Sequence, residues 1–590
     1  MSEYNHPYRD AAFVIDQLIG FDAICQRAHL DDINSELATV ILTEAAKLGS
    51  GVLAPLNRDG DLQGATLGSD GVEETPGFAA AYRQFMDGGW AGLTADPDYD
   101  GQGLPNLLGT AVNEIWHSAN MAFALCPMLS QGATEAIAHH GSEALKAQYL
   151  PHLISGAWTG TMNLTEPDAG SDLSAIKTRA VPEQDHYLIS GQKIFITWGD
   201  HQMTDNIVHL VLARLPDAPA GVKGISLFVV PKFLLDDNGQ PAARNDVHCI
   251  SLEHKLGIHG SPTCVMSFGD QGGAVGYLVG EANKGLSYMF TMMNHARQTV
   301  GLQGLAISER SYQQALEYAK ERLQGADREG NRLAIIKYPD VRRMLMQMKS
   351  STEAMRALAY TAAVEQDLAA FTEGAESDAH LQRVALYTPI IKGWLTELAQ
   401  EITYTGIQIH GGMGFSEETG SAQHYRDARI LTIYEGTTGI QALDFIGRKV
   451  LLDGAAELTA LLGEMQQTAV QLAELPAAQA GILNNFADAL EKALLARDWV
   501  LQHAASDKEV MGRVSHQFLM LFGYLSGGWV MARSALAAQA QLASNSGDQT
   551  FLAGKLASAQ FYAEQILPRV DSCFKAIQSG ASMAVDEALL

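Results

Sequence analysis

The chain has 590 residues, 47% hydrophobic and 18% charged, which describes an ordinary globular protein of about three to five domains and excludes collagenous, disordered and disulfide-stapled classes. Sixty-seven acidic residues against forty basic ones leave a formal charge of −27, a field that repels nucleic-acid phosphates and anionic membranes at long range, so an anionic ligand must meet a local positive site. Five dispersed cysteines (Cys25, Cys126, Cys249, Cys264, Cys573) without a Cys-x-x-Cys pair point to neither a zinc knuckle nor a disulfide framework and fit a reducing cytoplasm.

The first segment, MSEYNHPYRDAAFVIDQL, lacks the basic and apolar regions of a secretory signal. Residues 1–159 read as a helical N-terminal domain, with apolar positions recurring at three and four in stretches such as NSELATVILTEAAKL and EALKAQYLPHLISG. Gly49 to Ala54, GSGVLA, matches Gly-x-Gly-x-x-Ala, but it follows a helical stretch and runs into Pro55, whereas a dinucleotide fingerprint needs a strand before and a helix after. Residues 160–280 change to short runs rich in Val, Ile and Phe (HYLISGQKIFIT, NIVHLVLARL, GISLFVVPKF, CVMSF), which predict an antiparallel barrel or sandwich. Residues 281–450 return to helix, with Met289, Met293, Ala296 and Val300 on one stripe. Residues 451–590 form an alanine-rich fourth module. Within it the uncharged run Phe518 to Ala532 falls short of the ~20 residues of a membrane span and is expected to be a buried bundle helix.

Four stretches carry candidate chemistry. Asn163 to Ser174, NLTEPDAGSDLS, collects small, hydroxyl and turn residues where helix gives way to strand. A connecting loop would look alike, but Thr165 and Ser171 offer hydroxyls and Pro167 and Gly170 a turn that exposes amide N–H groups, a cradle for a heteroaromatic cofactor or a phosphate. In KIFITWGDH, Lys193 to His201, strand alternation puts Phe195 and Thr197 on one face; core packing explains Phe195 equally well. In QIHGGMGFSEE, Gln408 to Glu418, three glycines in four positions permit a close approach to the backbone where a helix cap needs one. In TIYEGTTGIQ, Glu435 is either the first-turn carboxylate of a helix beginning near Thr437 or a base whose proton affinity its apolar flanks raise towards working pH.

LTEPDAGSD, KIFITWGDH, QIHGGMGF and IYEGTTGIQ, in this order and spacing, resemble the acyl-CoA dehydrogenase family of flavoproteins. The segment YRDAAFVIDQLIGFDAI, the TWGDH variant and the extra module after about residue 450 are similar to its large bacterial branch, which includes 3-methylmercaptopropionyl-CoA dehydrogenases. The resemblance implies a mainly α fold with a central β-barrel: a helical N-domain, the barrel, a four-helix bundle and an additional C-terminal helical bundle. It implies FAD as cofactor, no metal, an acyl-CoA substrate and electron-transfer flavoprotein as partner, in a homo-oligomer, most simply a dimer, with a role in fatty acid metabolism by β-oxidation.

On the same resemblance the catalytic base is Glu435, and Ala296 stands where an alternative family glutamate would sit. The reaction removes an α-proton from the thioester and transfers the β-hydrogen to flavin N5, leaving a trans-2-enoyl-CoA. The cofactor residues are Leu164, Thr165, Ser171, Phe195, Thr197, Arg322, Gln408, Gly411, Gly412, Thr437 and Gly439. Arg322 is expected to reach FAD phosphates across a subunit interface, and Gln408 to Gly412 to meet the adenine end. Ser171, Asn294, Arg297 and Gly436 are the substrate residues. Asn294 replaces a more usual aspartate, Phe195 a common tryptophan and Gly439 a glutamine of some relatives. Three alternatives stay open: an acyl-CoA oxidase, a DNA-associated relative, which the net charge opposes, and a membrane-associated very-long-chain type. A cytoplasmic enzyme without nucleic acid or stable membrane insertion, acting on 3-methylmercaptopropionyl-CoA or a fatty acyl-CoA, is the expectation.

Overall fold

A computed structural model describes residues 3–507, 509–580 and 587–589. Its backbone divides into two units, one of residues 44–105 and 115–299 and the other of residues 1–43, 106–114 and 300–590.

The first of these is built around eight strands: β1 (Trp158–Asn163), β2 (Arg179–Glu183), β3 (His186–Thr197), β4 (Asn206–Arg214), β5 (Ile225–Pro231), β6 (Val247–Leu252), β7 (Thr263–Phe268) and β8 (Ala274–Val279). Pairing runs β6-β7-β3-β8-β5-β4-β1, and β2 bonds to both β3 and β4, so β2, β3, β8, β5 and β4 close a ring. Within the ring every strand has two partners, as closure requires, while β6 and β1 end the path with one partner each. Ile189, Ile196, Val211, Phe228, Val230, Met266 and Phe268 fill the core. The apolar runs of β4 and β5 are buried almost throughout, as expected of strands covered on both faces. The helix Met121–His140 lies on β1, where a side chain at Gly160 would overlap Ala133. The sequence reads as an antiparallel barrel or sandwich; the structure is a barrel, and its pairing is antiparallel except where β1 and β2 meet β4 in parallel.

His259 ties this unit together ahead of β7. One ring nitrogen sits 3.0 Å from an Asp61 carboxylate oxygen and 2.9 Å from the Asp61 carbonyl, the other 2.9 Å from the Lys255 carbonyl. Three acceptors favour the doubly protonated ring, and the hydrogen bond to Asp61 in particular lifts its pKa from 6.5 to about 9.

The other unit is helical. Following Gly285–Glu321 (α1), it contains Pro339–Phe371 (α2), Gly374–Ile390 (α3) with the π-helical turn Ile391–Leu395 after it, Thr396–His410 (α4), and Thr438–Asp444 (α5) followed by π-helical Phe445–Leu451. The last module adds Ala456–Leu472 (α6), Ala480–Ala504 (α7), Val510–Ala543 (α8), Gln549–Phe561 (α9) and Arg569–Ser579 (α10). The uncharged run Phe518 to Ala532 lies within α8 and is almost wholly buried. Its glycines serve helix contact: side chains at Gly523 and Gly527 would overlap Trp394, and one at Gly528 would crowd Leu567. A different helical run, Ser35–Gln63, is apolar and long enough to cross a membrane by length and composition, a test that a core helix of a soluble protein also passes.

A buried ionic network joins the N-terminal segment, α1, α2 and α9. Arg356, 1% exposed, bonds to Asp10, Glu114 and Glu309, and Lys555 bonds to Asp10 and Glu353. The Tyr360 hydroxyl donates to Glu114 at 2.7 Å. Such a network contributes specificity of packing more than net stability, but losing one partner leaves uncompensated charge in a dry interior.

Arg356→Met is therefore expected to destabilise the helical unit by about 3 to 5 kcal/mol, read from its shift in a denaturant titration; an unchanged midpoint would contradict the network. For His259 the folded pKa lies above the unfolded value, so its contribution is complete below pH 6.5 and is lost as pH rises through about 9. The difference in melting temperature between the protein and His259→Gln should be full at pH 6 and close by about pH 10; a pH-independent difference would exclude the charged ring.

Candidate active site

In the barrel unit, the loop after β1 and the end of β3 come together. The Ile194 N–H donates to the Thr165 carbonyl at 2.9 Å. Lys193, fully buried, extends its ammonium to the Leu164 carbonyl at 3.0 Å and to Glu166 at 2.8 Å. The Glu166 carboxylate also accepts the N–H groups of Lys177 and Thr178 and the Thr178 hydroxyl. One ion pair thus clamps both ends of the loop 164–178, whose tip carries the exposed Ser171. Burial lowers the Lys193 pKa to about 8 against the pull of Glu166. Burial also opposes ionisation of Glu166, yet Lys193 and the hydrogen bonds from Thr178 and Lys177 hold it below the usual carboxylate range.

Strict alternation predicts Phe195 and Thr197 on one outer face and would put Lys193 there too. The structure turns Lys193 inward by a bulge: Lys193 pairs with Met266 and Ile196 with Cys264, leaving Ile194 and Phe195 opposite Val265 alone. Phe195 takes a left-handed backbone, φ 59°, and its side chain is 57% exposed. Thr165 and Thr197 beside it are half-buried, and Leu164 is buried. The ring of Phe195 is thus left open to solvent at a strained backbone position.

Also in this unit, Asn294 and Arg297 are joined directly: the guanidinium donates to the Asn294 side-chain oxygen at 3.3 Å and lies over Phe290, 5.8 Å from the ring centre. Ala296, between them, is buried.

In the helical unit, Glu435 follows the 3-10 turn Arg429–Thr432 and precedes α5. Thr437 is the N-cap, its hydroxyl accepting the Ile440 N–H at 3.3 Å. Glu435 therefore lies outside the first helical turn, and the reading of it as a helix-start carboxylate fails on position. Its backbone is left-handed, φ 56°, and Gly436 follows at φ 90°. A non-glycine residue there costs about 1 to 3 kcal/mol and persists only where its surroundings enforce it. Here they do: Gln441 donates to the Glu435 carbonyl at 3.1 Å, and Lys392 to the Gly436 carbonyl at 2.5 Å. The Tyr434 hydroxyl donates to Gln303 and the Thr438 hydroxyl to Glu397; burial pushes the Tyr434 hydroxyl pKa up. The φ of 90° favours glycine at 436, and a side chain there would stand 2.8 Å from the Gln441 amide nitrogen and displace the group that holds the Glu435 carbonyl. Of the apolar flank, Leu431 is buried and Ile433 exposed.

Gln408 is exposed in the last turn of α4, and Gly411 caps that helix at φ 61°. A side chain at Gly414 would overlap the Ile407 carbonyl, whereas nothing stands within 4 Å of the same position at Gly412. Two of the three glycines are thus needed by the fold itself, and Gly412 is left open. Thr437, Gly439 and Arg322 are exposed.

Sequence reasoning passed over Lys193, Glu166, Lys392 and Gln441. The lysines were detectable as lone charges in apolar runs, KIFIT and YTPIIKGWL; nothing local marked their acceptors, which the fold supplies.

Family profiles match the chain as acyl-CoA dehydrogenase N-terminal domain over residues 69–157, middle domain over 161–271, C-terminal domain over 283–451 and acetyl-CoA dehydrogenase C-terminal like over 461–587. The chain is 47% identical over 569 residues to the 3-methylmercaptopropionyl-CoA dehydrogenase of Ruegeria pomeroyi, covering 96% of each. It is 34% identical to the broad-specificity linear acyl-CoA dehydrogenase of Mycobacterium tuberculosis, covering 100% of each. Its fold is like that of an acyl-CoA dehydrogenase from Bacillus anthracis solved with FAD, with a TM-score of 0.74 over 95% of this chain and 90% of that one, at 22% identity. A chain matched over nearly its whole length in both sequence and fold, with a carboxylate held in a built turn, belongs to the acyl-CoA dehydrogenase family of oxidoreductases.

Proposed function

We propose that this protein is an FAD-dependent dehydrogenase that converts 3-methylmercaptopropionyl-CoA to its trans-2-enoyl thioester, with Glu435 as the base. The observation that carries the chemistry is the enforced left-handed turn at Glu435; the full-length 47% identity supports the substrate.

The residues present fit a flavin dinucleotide. Exposed Phe195 with Thr165 and Thr197 suits an aromatic ring system with polar edges, and the open position at Gly412 suits close approach of a ligand to the backbone. We assign Leu164, Thr165, Phe195, Thr197, Thr437 and Gly439 to the flavin, Ser171 to flavin phosphate or CoA, and Arg322, Gln408, Gly411 and Gly412 to the phosphates and adenine of a cofactor in a homodimer. When bound, FAD supplies the acceptor for the β-hydrogen as hydride. Glu435 takes the α-proton. Because thioester α-protons are weakly acidic, the backbone N–H of Glu435 would donate to the thioester carbonyl, where enolate charge develops. Gly436, Asn294 and Arg297 orient the acyl-CoA. Electron-transfer flavoprotein is the proposed electron acceptor and the cytoplasm the proposed compartment.

Glu435→Gln should keep the yellow flavin and lose acyl-CoA-driven bleaching by about 100-fold or more, measured anaerobically in a stopped-flow spectrometer; bleaching at the unsubstituted rate would remove Glu435 from the mechanism. A panel of acyl-CoAs assayed with one dye acceptor should give the highest kcat/KM for the methylthiopropanoyl thioester. A higher value for a long-chain acyl-CoA overturns the substrate assignment, and rapid peroxide formation in air without the dye indicates an oxidase.

A further inference from the structure

The module after residue 450 packs, through α8, against the two elements that carry the donors holding the Glu435 turn. Lys392, Gly393 and Trp394 are consecutive in the π-helical turn Ile391–Leu395, and all are buried. Such turns recur at functional sites because the extra residue re-aims side chains. Lys392 is the donor to the Gly436 carbonyl. Gly393 lies between the module and the site: a Cβ there would stand 2.5 Å from Leu519 of α8 on one side and 3.8 Å from the Cβ of Gln441 on the other. Gln441 is the donor to the Glu435 carbonyl. Trp394 fills the groove made by Gly523 and Gly527 of α8, and its indole N–H has no hydrogen-bond partner among the described residues. An indole kept there without a partner is held for its shape. On the far side of the turn, Phe445, immediately after α5, packs on Phe518 and Phe522 of α8 with ring centres 5.6 and 5.7 Å away.

We propose that the C-terminal module is a positioning element of the catalytic turn: α8, acting on Gly393, Trp394 and Phe445, sets the places of Lys392 and Gln441 and through them the backbone of Glu435. Lys392 and Gln441 are positioning residues, not catalytic ones. Close packing makes this transmission stiff, since a filled interior shifts as a unit when one group is displaced. A small displacement of a base is costly, because proton transfer needs near-contact geometry. The catalytic consequence rests on Glu435 being the base; the mechanical coupling does not.

The test uses the full-length holoenzyme. Gly523→Ala pushes Trp394, Leu519→Ala removes the contact on Gly393, and Lys392→Met removes the donor itself. Hydrogen exchange read by mass spectrometry should rise by about tenfold in the peptide covering residues 433–441 in each variant. In the same proteins kcat should fall by about tenfold with KM changed by less than about twofold, and the pH midpoint of kcat should move. Exchange within about twofold of the unsubstituted protein, in either α8 variant that retains flavin and its melting transition, overturns the coupling. If Gly523→Ala does not fold, Leu519→Ala, which only deletes methyl groups, decides. Raised exchange together with an active Glu435→Gln protein would uphold the coupling and reject the base, so the two failures are separable.

Discussion

The main chain at Glu435, the base in the function proposed, is held in a conformation it would not choose. The left-handed backbone at Glu435 and the glycine after it turn the chain sharply before α5, so the acid stands outside the helix. The cost of that turn is met from behind, by Gln441 on one carbonyl and Lys392 on the next. Remove either donor and a half-buried carbonyl loses a partner while the strain remains.

The barrel unit repeats the device. Lys193, like Lys392, is fully buried and gives its ammonium to a main-chain carbonyl of a candidate site loop, that of Leu164. Lysine suits this task because its three donors sit on one flexible stem and reach a carbonyl from within a core. The charge has to be met, and Glu166 meets that of Lys193. The two lysines show one solution in two architectures: a strand bulge turns one inward and a π-helical turn aims the other.

The buried ionic network around Arg356 has a different character. It fixes how the N-terminal segment, α1, α2 and α9 meet, and no residue assigned to substrate or cofactor belongs to it. One module supplies both Lys555, from α9, to this network and α8 to the packing around Gly393 and Trp394. That combination accounts for an uncharged glycine-bearing run in α8: small residues let Trp394 in, and charge would have kept it out.

The amino-acid sequence by itself determined the classes of element, because periods of two and of three to four residues survive in any fold that buries one face, and it determined the family, because four ordered motifs span almost 300 residues. Local pattern left Glu435 divided between a helix start and a base, and the family resemblance favoured the base; the tertiary structure placed the acid two residues ahead of the cap. Tertiary structure alone decided that Lys193 points inward, since a bulge depends on the partner strand and leaves no mark in the alternation. The same holds for Lys392 and Gln441, more than forty residues apart in the case of Lys392 and its acceptor. A donor's type is local and legible, but its acceptor is whichever carbonyl the packing of α8 brings within reach.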